Sequence, residues 1–411
     1  MLRGIAVLGI LVMNIYGFAM SFAAYSNPLA AGGTEWYNLG TWFFTHIVFD
    51  QKFLTIFSLL FGGGLILLTT RADSRGVDCT ATWYRRCIWL AVIGALHGYL
   101  LWFGDILFHY AVIGMLIYPL RHLPPGALVK TGCILLSIGL LISYVGGIEM
   151  ERLKLEGDAI IALQDAGEPL TDEQQATLER WEKTSIFLRP PAEQVAADTA
   201  AYTGSYRDIV AYRAPSYWMM QTDGTLGFVI WRVGGLMLLG MALMKFGVLS
   251  GQRDLAFYRR LMRLGYGLGF PTVIFSAWLL SANQWEFLWM LRVGNLPNYV
   301  GSILVALGHI AVVMIIVKKG VFAKLMARFQ AVGQMALTNY LMHSLILTTI
   351  FYGYGLGLFG QVPRAWQMGF VAAVAGFQLW FSPWWLNRYR FGPLEWVWRS
   401  LTYWHPQRMQ K

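Results

Sequence analysis

The chain has 411 residues, of which 56% are hydrophobic, 15% aromatic and only 13% charged. Soluble proteins carry about a quarter charged residues, so a string of soluble domains is excluded, as are disorder and collagen. Three cysteines, Cys79, Cys87 and Cys133, are too few and wrong in parity for a disulfide framework, and the net charge of +10 first needs explaining by position.

A helix crossing the hydrocarbon needs roughly 20 mainly apolar residues. Such runs occur near 4–24, 48–68, 82–102, 105–121 and 126–148, and again near 225–247, 261–282, 298–317, 330–352 and 365–386. None alternates with the period of a membrane β-strand. The expected fold is therefore all-α and polytopic, with about ten transmembrane helices, because helices satisfy their own backbone groups in lipid. Arg3 and the following apolar run, ending in Phe22-Ala23-Ala24, resemble a signal peptide. The run is long for one and Asn14 interrupts it, so an uncleaved first helix is expected.

The basic residues alternate from loop to loop. Arg71, Arg75, Arg85 and Arg86 lie between spans two and three, and Arg121 and Lys130 between four and five. Lys245, Arg253, Arg259, Arg260 and Arg263 join six to seven; Lys318, Lys319, Lys324 and Arg328 join eight to nine; Arg388 and Arg390 follow ten. The intervening short loops hold almost none. By the positive-inside rule both termini are expected in the cytoplasm of a bacterial inner-membrane protein, and the charge excess is topological rather than a nucleic-acid footprint.

Three parts follow: a five-helix membrane half at 1–148, an extracytoplasmic helical segment at 149–224, and a second membrane half at 225–411. The middle segment reads as amphipathic helices, with Glu151–Ala166, a helix start at Thr171-Asp172-Glu173 and a break at Pro190-Pro191. It is expected to cap the outer ends of the spans.

Ionisable residues inside a membrane are costly and need a reason. Those here are His46, Asp50 and Lys52 at span two, His97 in span three, Asp105 and His109 opening span four, Arg232 in six, His309 in eight and His343 in nine. Most fall towards the outer face. His46 and Asp50 are four residues apart, as are Asp105 and His109, so each pair shares a face where the helix is regular. His97 and Asp105 flank a tight hairpin at Phe103-Gly104, which brings them to similar depth. A carboxylate beside an imidazole fixes its tautomer and suits it to general-base work.

Other chemistries lack a pattern. There is no His-Glu-x-x-His, no Cys-x-x-Cys and no Walker loop, so no metal is expected. Gly62-Gly63-Gly64 reads as close helix packing. Gly353, Gly355, Gly357 and Gly360 are expected to loosen the outer end of span nine. Trp384, Trp385, Trp396, Trp398 and Trp404 read as interface anchors, and Cys87 and Cys133 as small core residues.

Several strings together are similar to the YeiB family of bacterial multipass membrane proteins. They are Arg3-Gly4-Ile5-Ala6-Val7-Leu8-Gly9-Ile10 with Asn14, Leu59-Leu60-Phe61-Gly62-Gly63-Gly64, and Gly94-Ala95-Leu96-His97 followed by Gly104-Asp105-Ile106-Leu107 and Tyr110. Gly333-Gln334-Met335-Ala336-Leu337-Thr338-Asn339-Tyr340-Leu341 and Phe391-Gly392-Pro393-Leu394-Glu395-Trp396 resemble its C-terminal domain of unknown function. The opening Arg3-Gly4-Ile5-Ala6 is also similar to the wider transmembrane acyltransferases, the heparan-glucosaminide acetyltransferases among them. That resemblance implies acyl transfer from a cytoplasmic thioester, through a histidine on the far side. It covers about two spans. Residues 25–45 lack the histidine that family carries there, and the position of the acidic residue that family usually carries just before Arg3-Gly4 falls ahead of this sequence.

The expected function is acyl transfer to an extracytoplasmic sugar, lipid or envelope polymer. His97 would be base or acyl carrier, Asp105 its orienting group and Arg232 a binder of anion or oxyanion, with His46, Asp50, His109 and His343 lining the acceptor site. No cofactor is expected to be permanently bound. Acyl-coenzyme A is the candidate donor, drawn to basic loops such as Arg71, Arg75, Arg85 and Arg86. The bilayer is the expected partner, with homo-oligomers open. The alternatives are a transporter that uses the same residues without covalent chemistry, and a structural or sensory protein acting through its outer segment.

Overall fold

A computed structural model of the chain describes residues 1–185 and 191–411, the side chains of 183–185 and 191 excepted. The first part contains α1 (Leu2–Ala19), the single turn α2 (Ala23–Ser26), α3 (Trp36–Val48), α4 (Lys52–Asp73), α5 (Thr80–Leu100), α6 (Leu107–Ile117) and α7 (Pro125–Asp165). Then come α8 (Asp172–Ser185), α9 (Pro191–Tyr202) and α10 (Tyr206–Met219), which passes through a π-helical stretch, Met220–Val229, into α11 (Ile230–Lys245). The last part contains α12 (Leu255–Ala282), α13 (Phe287–Trp289), α14 (Leu296–Lys319), α15 (Ala323–Gln334), α16 (Ala336–Phe351), α17 (Arg364–Arg388) and α18 (Pro393–Tyr403). Among the described residues the β pairing amounts to one isolated bridge, Tyr389 to Gln410.

Six stretches among the described residues are long and apolar enough to cross a membrane: Leu2–Ala19, Trp36–Asp73, Pro125–Asp165, Tyr206–Lys245, Leu255–Ala282 and Leu296–Lys319. The other four expected spans coincide with α5, α6, α16 and α17. Of these, α6 has 11 residues and α16 has 16, short of a full crossing as single helices. Arg85 and Arg86 lower the hydropathy of α5, and Gln367, Gln378 and two arginines that of α17.

The hydrophobic packing interleaves the two halves of the sequence. Helix α1 is 78% buried and shares one cluster with α16 and α17 and another with α4, α12 and α14. Helix α11 packs with α4 to α7, where Met237, Leu238 and Met241 meet Leu65, Tyr110 and Ile113. A Cβ on Gly62 would overlap the Met237 carbonyl, and one on Gly240 the Leu59 carbonyl, so these two glycines set how closely α4 and α11 approach. Gly62 and Gly63 thus pack against their neighbours as the composition implied, whereas a Cβ on Gly64 would meet nothing within 4 Å among the described residues.

Span five and the helix expected at Glu151–Ala166 are one rod, the 41 residues of α7. At 1.5 Å per residue it is about 60 Å long, roughly twice the hydrocarbon thickness. Its far half pairs with α8 through Leu153, Ile160, Leu178 and Trp181. Helix α8 starts where expected: the Gln174 amide donates to Thr171 Oγ1 and the Thr171 amide to Gln174 Oε1, at 3.3 and 2.9 Å. Of the break expected at Pro190-Pro191, Pro190 lies outside the described residues, and α9 begins at Pro191.

Hydrogen bonds gather the connections at two ends. At one end the Gly360 amide donates to the Ala19 carbonyl and the Gly353 amide to the Tyr202 carbonyl, at 2.8 and 2.9 Å. Tyr206 reaches the Leu100 carbonyl there, and Arg364 the Ala24 and Ala31 carbonyls. Helix α16 stops at Phe351, and Gly357 and Gly360 then take φ of +66° and +74° in the turn that follows. At the other end Lys245 donates to the carbonyls of Arg121 and Leu123, and Glu395 accepts from the Leu337 and Thr338 amides that open α16.

Two sequence expectations need correction. Cys87 is buried, but Cys133 is exposed, on a part of α7 where Ile134 and Leu141 are exposed as well. Trp384 and Trp404 are exposed as interface anchors would be, whereas Trp398 is a packing residue: its indole donates to the Arg86 carbonyl and the Arg86 guanidinium lies 3.9 Å above its ring.

Candidate functional site

Helix α5 ends at Leu100 and α6 begins at Leu107, so the hairpin has six residues rather than the two suggested by the sequence. Asp105 sits in this hairpin, just before α6. Its Oδ1 accepts the Phe108 amide at 3.0 Å, using one of the unpaired N–H groups at the helix start. Its Oδ2 accepts His97 Nδ1 at 2.7 Å. Tyr217 of α10 adds a longer bond to Oδ1 at 3.4 Å and also donates to the Gly94 carbonyl. A carboxylate only accepts, so the bond to Asp105 puts the imidazole proton on Nδ1 and leaves a lone pair on Nε2.

That lone pair has a partner the sequence reading did not identify. Ser344 Oγ on α16 lies 2.7 Å from His97 Nε2. Asp105, His97 and Ser344 form an acid, a base and a hydroxyl in line, all essentially buried. Such a constellation is recognised by geometry and roles rather than by chain order. Ser344 follows His343 in the sequence and lies one helical turn after Tyr340, whose ring centroid is 5.4 Å from that of His97; no signal in the sequence itself marked it.

Two small residues let these elements approach. A Cβ on Gly94 would overlap the Phe108 amide nitrogen, and one on Gly98 the Tyr217 ring. Three residues before and one after His97, they admit the α6 terminus and α10 on either side of it. Helix α10 lies within the segment expected outside the membrane. It is pinned to the end of α5 by Arg213, whose guanidinium donates to the Tyr99 carbonyl at 2.9 Å and also reaches that of Leu101. A cation on those last carbonyls also suits the helix dipole. The middle segment therefore caps the site and supplies Tyr217 to it.

The other predicted residues divide among different places. His46 and Asp50 do meet, at 3.3 Å between Nδ1 and Oδ2, although α3 ends at Val48 and a turn with Gln51 at φ +60° intervenes. Asp50 also accepts Tyr25 Oη and Asn298 Nδ2, both at 2.9 Å. Lys52 donates to Asn298 Oδ1 at 2.9 Å and to the His46 carbonyl. Asn298 of α14 thus bridges a buried carboxylate and a buried ammonium. His46 stacks on Trp42, with its Nε2 buried and without a hydrogen-bond partner among the described residues.

Arg232 makes no hydrogen bond to His97, Asp105 or Ser344. Its guanidinium bonds the Tyr299 carbonyl and Ser302 Oγ at 3.1 and 2.9 Å and covers the Tyr299 ring. It therefore belongs with α14, near the Asp50 cluster. Asp105 and His109 do not pair, since Asp105 precedes the helix that carries His109; His109 Nε2 bonds the Met220 carbonyl of the π-helical stretch instead. His343 bonds Gln378 at 2.9 Å, its Nδ1 without a partner among the described residues. His309 bonds Tyr266 Oη and the Val48 carbonyl.

Two open surface grooves are present among the described residues. One runs along α7 past Lys130, Cys133 and Leu141; the other lies between α3 and α17, lined by Trp36, Phe44, Met368 and Val371. Neither is lined by His97, Asp105 or Ser344.

Comparison with known proteins gives relatives over almost the whole chain. The profile of a family described as protein of unknown function (DUF418) matches residues 243–405, which include Ser344 but not His97. The uncharacterized protein YeiB of Escherichia coli (strain K12) is 31% identical over 409 residues, covering 97% of this chain and 94% of that one. The uncharacterized protein YxaH of Bacillus subtilis (strain 168) is 28% identical over 419 residues, covering 98% and 94%. No solved structure matches the chain.

Proposed function

The chain belongs to the YeiB family of membrane proteins, and from that premise we propose that it is a transmembrane acyltransferase. It moves an acyl group from a cytoplasmic thioester, acyl-coenzyme A being the candidate, to a hydroxyl of an extracytoplasmic sugar, lipid or envelope polymer. The observation that carries this reading is the buried hydrogen bond between His97 Nδ1 and Asp105 Oδ2, with Nε2 aimed at a hydroxyl. That arrangement is a positioned general base, and in acyl transfer a base takes the proton of the attacking hydroxyl and returns it to the leaving group. His97 fills that role and Asp105 is its positioning residue. The alternating basic loops support a multipass inner-membrane topology with both termini in the cytoplasm. The α5–α6 hairpin and the cap formed by α10 then face outward.

The test is turnover by the full chain purified in detergent. With acetyl-coenzyme A and a polyhydroxyl acceptor, the wild type is expected to release free thiol, and His97→Ala, folded by size-exclusion chromatography, to release none above background. Equal release by His97→Ala would remove the assignment.

Transport without covalent chemistry is the second reading, and one observation favours it. The Asp50, Lys52 and Asn298 network, with His46 beside it, places paired charges inside the bundle, where ion and proton paths are found. Proton-coupled flux in liposomes, with no thioester consumption, would select it.

A further inference from the structure

The hydroxyl of Ser344 behaves unlike its neighbours. Inside a helix a serine or threonine hydroxyl commonly bonds back to the carbonyl four residues earlier. Thr348 does so to Ser344, Thr349 to Leu345, Ser58 to Leu54 and Thr272 to Leu268, all at 2.7 to 2.9 Å. The Ser344 hydroxyl instead leaves its helix and meets His97 Nε2 at 2.7 Å. Both ring nitrogens of His97 are thereby engaged, Nδ1 by Asp105 and Nε2 by Ser344. A histidine so held has no free nitrogen with which to carry an acyl group, whereas it can take the proton from Ser344.

We propose that Ser344 is the nucleophile and carries the acyl group as a covalent ester between donor and acceptor, an inference that rests on the acyl-transfer reading above. In the first half-reaction Ser344 Oγ attacks the thioester carbonyl and its proton passes to His97 Nε2. The C–S bond breaks, and the thiolate leaves with that proton. In the second, an acceptor hydroxyl gives its proton to His97 and attacks the acyl-serine carbonyl. The ester bond to Ser344 breaks, and Ser344 recovers the proton. No oxidant or further reactant is needed. Asp105 remains the positioning residue throughout, holding Nδ1–H and favouring the imidazolium formed in each half. Because Ser344 is buried, donor and acceptor reach it only when the helices over it part.

The experiment uses the full chain in detergent with two probes, acetyl-coenzyme A without acceptor, and a fluorophosphonate that forms a phosphonyl ester with activated serines. After acid quench and peptide mass spectrometry, both adducts are expected on Ser344 of the wild type. Neither should form on Ser344→Ala or His97→Ala. Ser344→Cys should trap the acetyl group as a thioester, which shows that the site is intact with a different nucleophile. Acetyl on His97, or full turnover by folded Ser344→Ala, overturns the role of Ser344 and leaves acyl transfer standing. Fluorophosphonate labelling of Ser344 without any use of the thioester supports the nucleophile and overturns the thioester donor. Neither adduct on the wild type overturns both.

Discussion

Ser344 Oγ and His97 Nε2 lie 2.7 Å apart, although 247 residues separate them in the chain. The contact joins α16, from the part of the sequence matched by the family profile, to α5, which lies outside it. Each element holds its own side of the contact. Asp105 fixes the imidazole from the start of α6, and Glu395 caps the opposite, N-terminal end of α16 with bonds from the Leu337 and Thr338 amides and the Thr338 hydroxyl.

Asp105→Asn is expected to keep the fold and lose activity. An amide in place of the carboxylate can hold the other tautomer, with Nδ1 accepting and the proton on the nitrogen that must act as base. The expected loss in kcat is about 10³- to 10⁴-fold with KM nearly unchanged. Steady-state kinetics on detergent-purified protein check it, and Asp105→Glu should restore part of the rate. A fall confined to KM would show that Asp105 serves binding rather than orientation.

Gly98→Ala should be far more disruptive than its size suggests. The added methyl would overlap the Tyr217 ring, which cannot retreat because its hydroxyl is held by the Gly94 carbonyl and Asp105. Overpacking of this kind is expected to cost about 1–3 kcal/mol. Thermal unfolding in detergent reads it, and Gly98→Ala combined with Tyr217→Leu should recover most of the loss. A wild-type melting temperature for Gly98→Ala alone would contradict the close packing of α10 on α5.

Lys52→Met removes one of the two charges bridged by Asn298. Asp50 then stays buried, with His46, Tyr25 and Asn298 as bonding partners and the Arg232 guanidinium as the remaining nearby cation. Removing one partner of a buried charge pair costs about 3–5 kcal/mol, and the loss is expected at the lower end because Arg232 remains. The double variant Asp50→Asn, Lys52→Met should be clearly more stable than Lys52→Met, since it removes both charges. The comparison is read from denaturation midpoints of four proteins, the wild type, Lys52→Met, Asp50→Asn and the double variant. Additive losses would show that the two charges do not sense each other through Asn298.

The proposed topology gives a direct reporter experiment. Alkaline phosphatase, active only outside the cytoplasm, is expected to be active when inserted at Gly167, in the turn between α7 and α8. It should be inactive at Gly76, in the basic turn between α4 and α5. The opposite pattern would invert the molecule and place His97 at the cytoplasmic face.

The sequence by itself determined the class, the helices and half of the site. Charge depletion and runs of apolar residues have one stable solution in lipid, and the spans follow from it because a helix satisfies its backbone locally. His97 and Asp105 were legible because eight residues and a hairpin leave few ways to keep them apart. His46 and Asp50 meet even though the helix ends between them, because four residues of chain keep them close. Asp105 and His109 failed because helix spacing says nothing once a helix starts later than its apolar run. Only the tertiary structure decided where Arg232 and Ser344 belong. Arg232 follows the face of α11 that packs on α14, and Ser344 becomes notable only when α16 lies beside α5. A serine in an apolar helix carries no signal of its own, since its hydroxyl can be satisfied by the preceding turn, and only long-range packing sets whether it turns outward to a histidine.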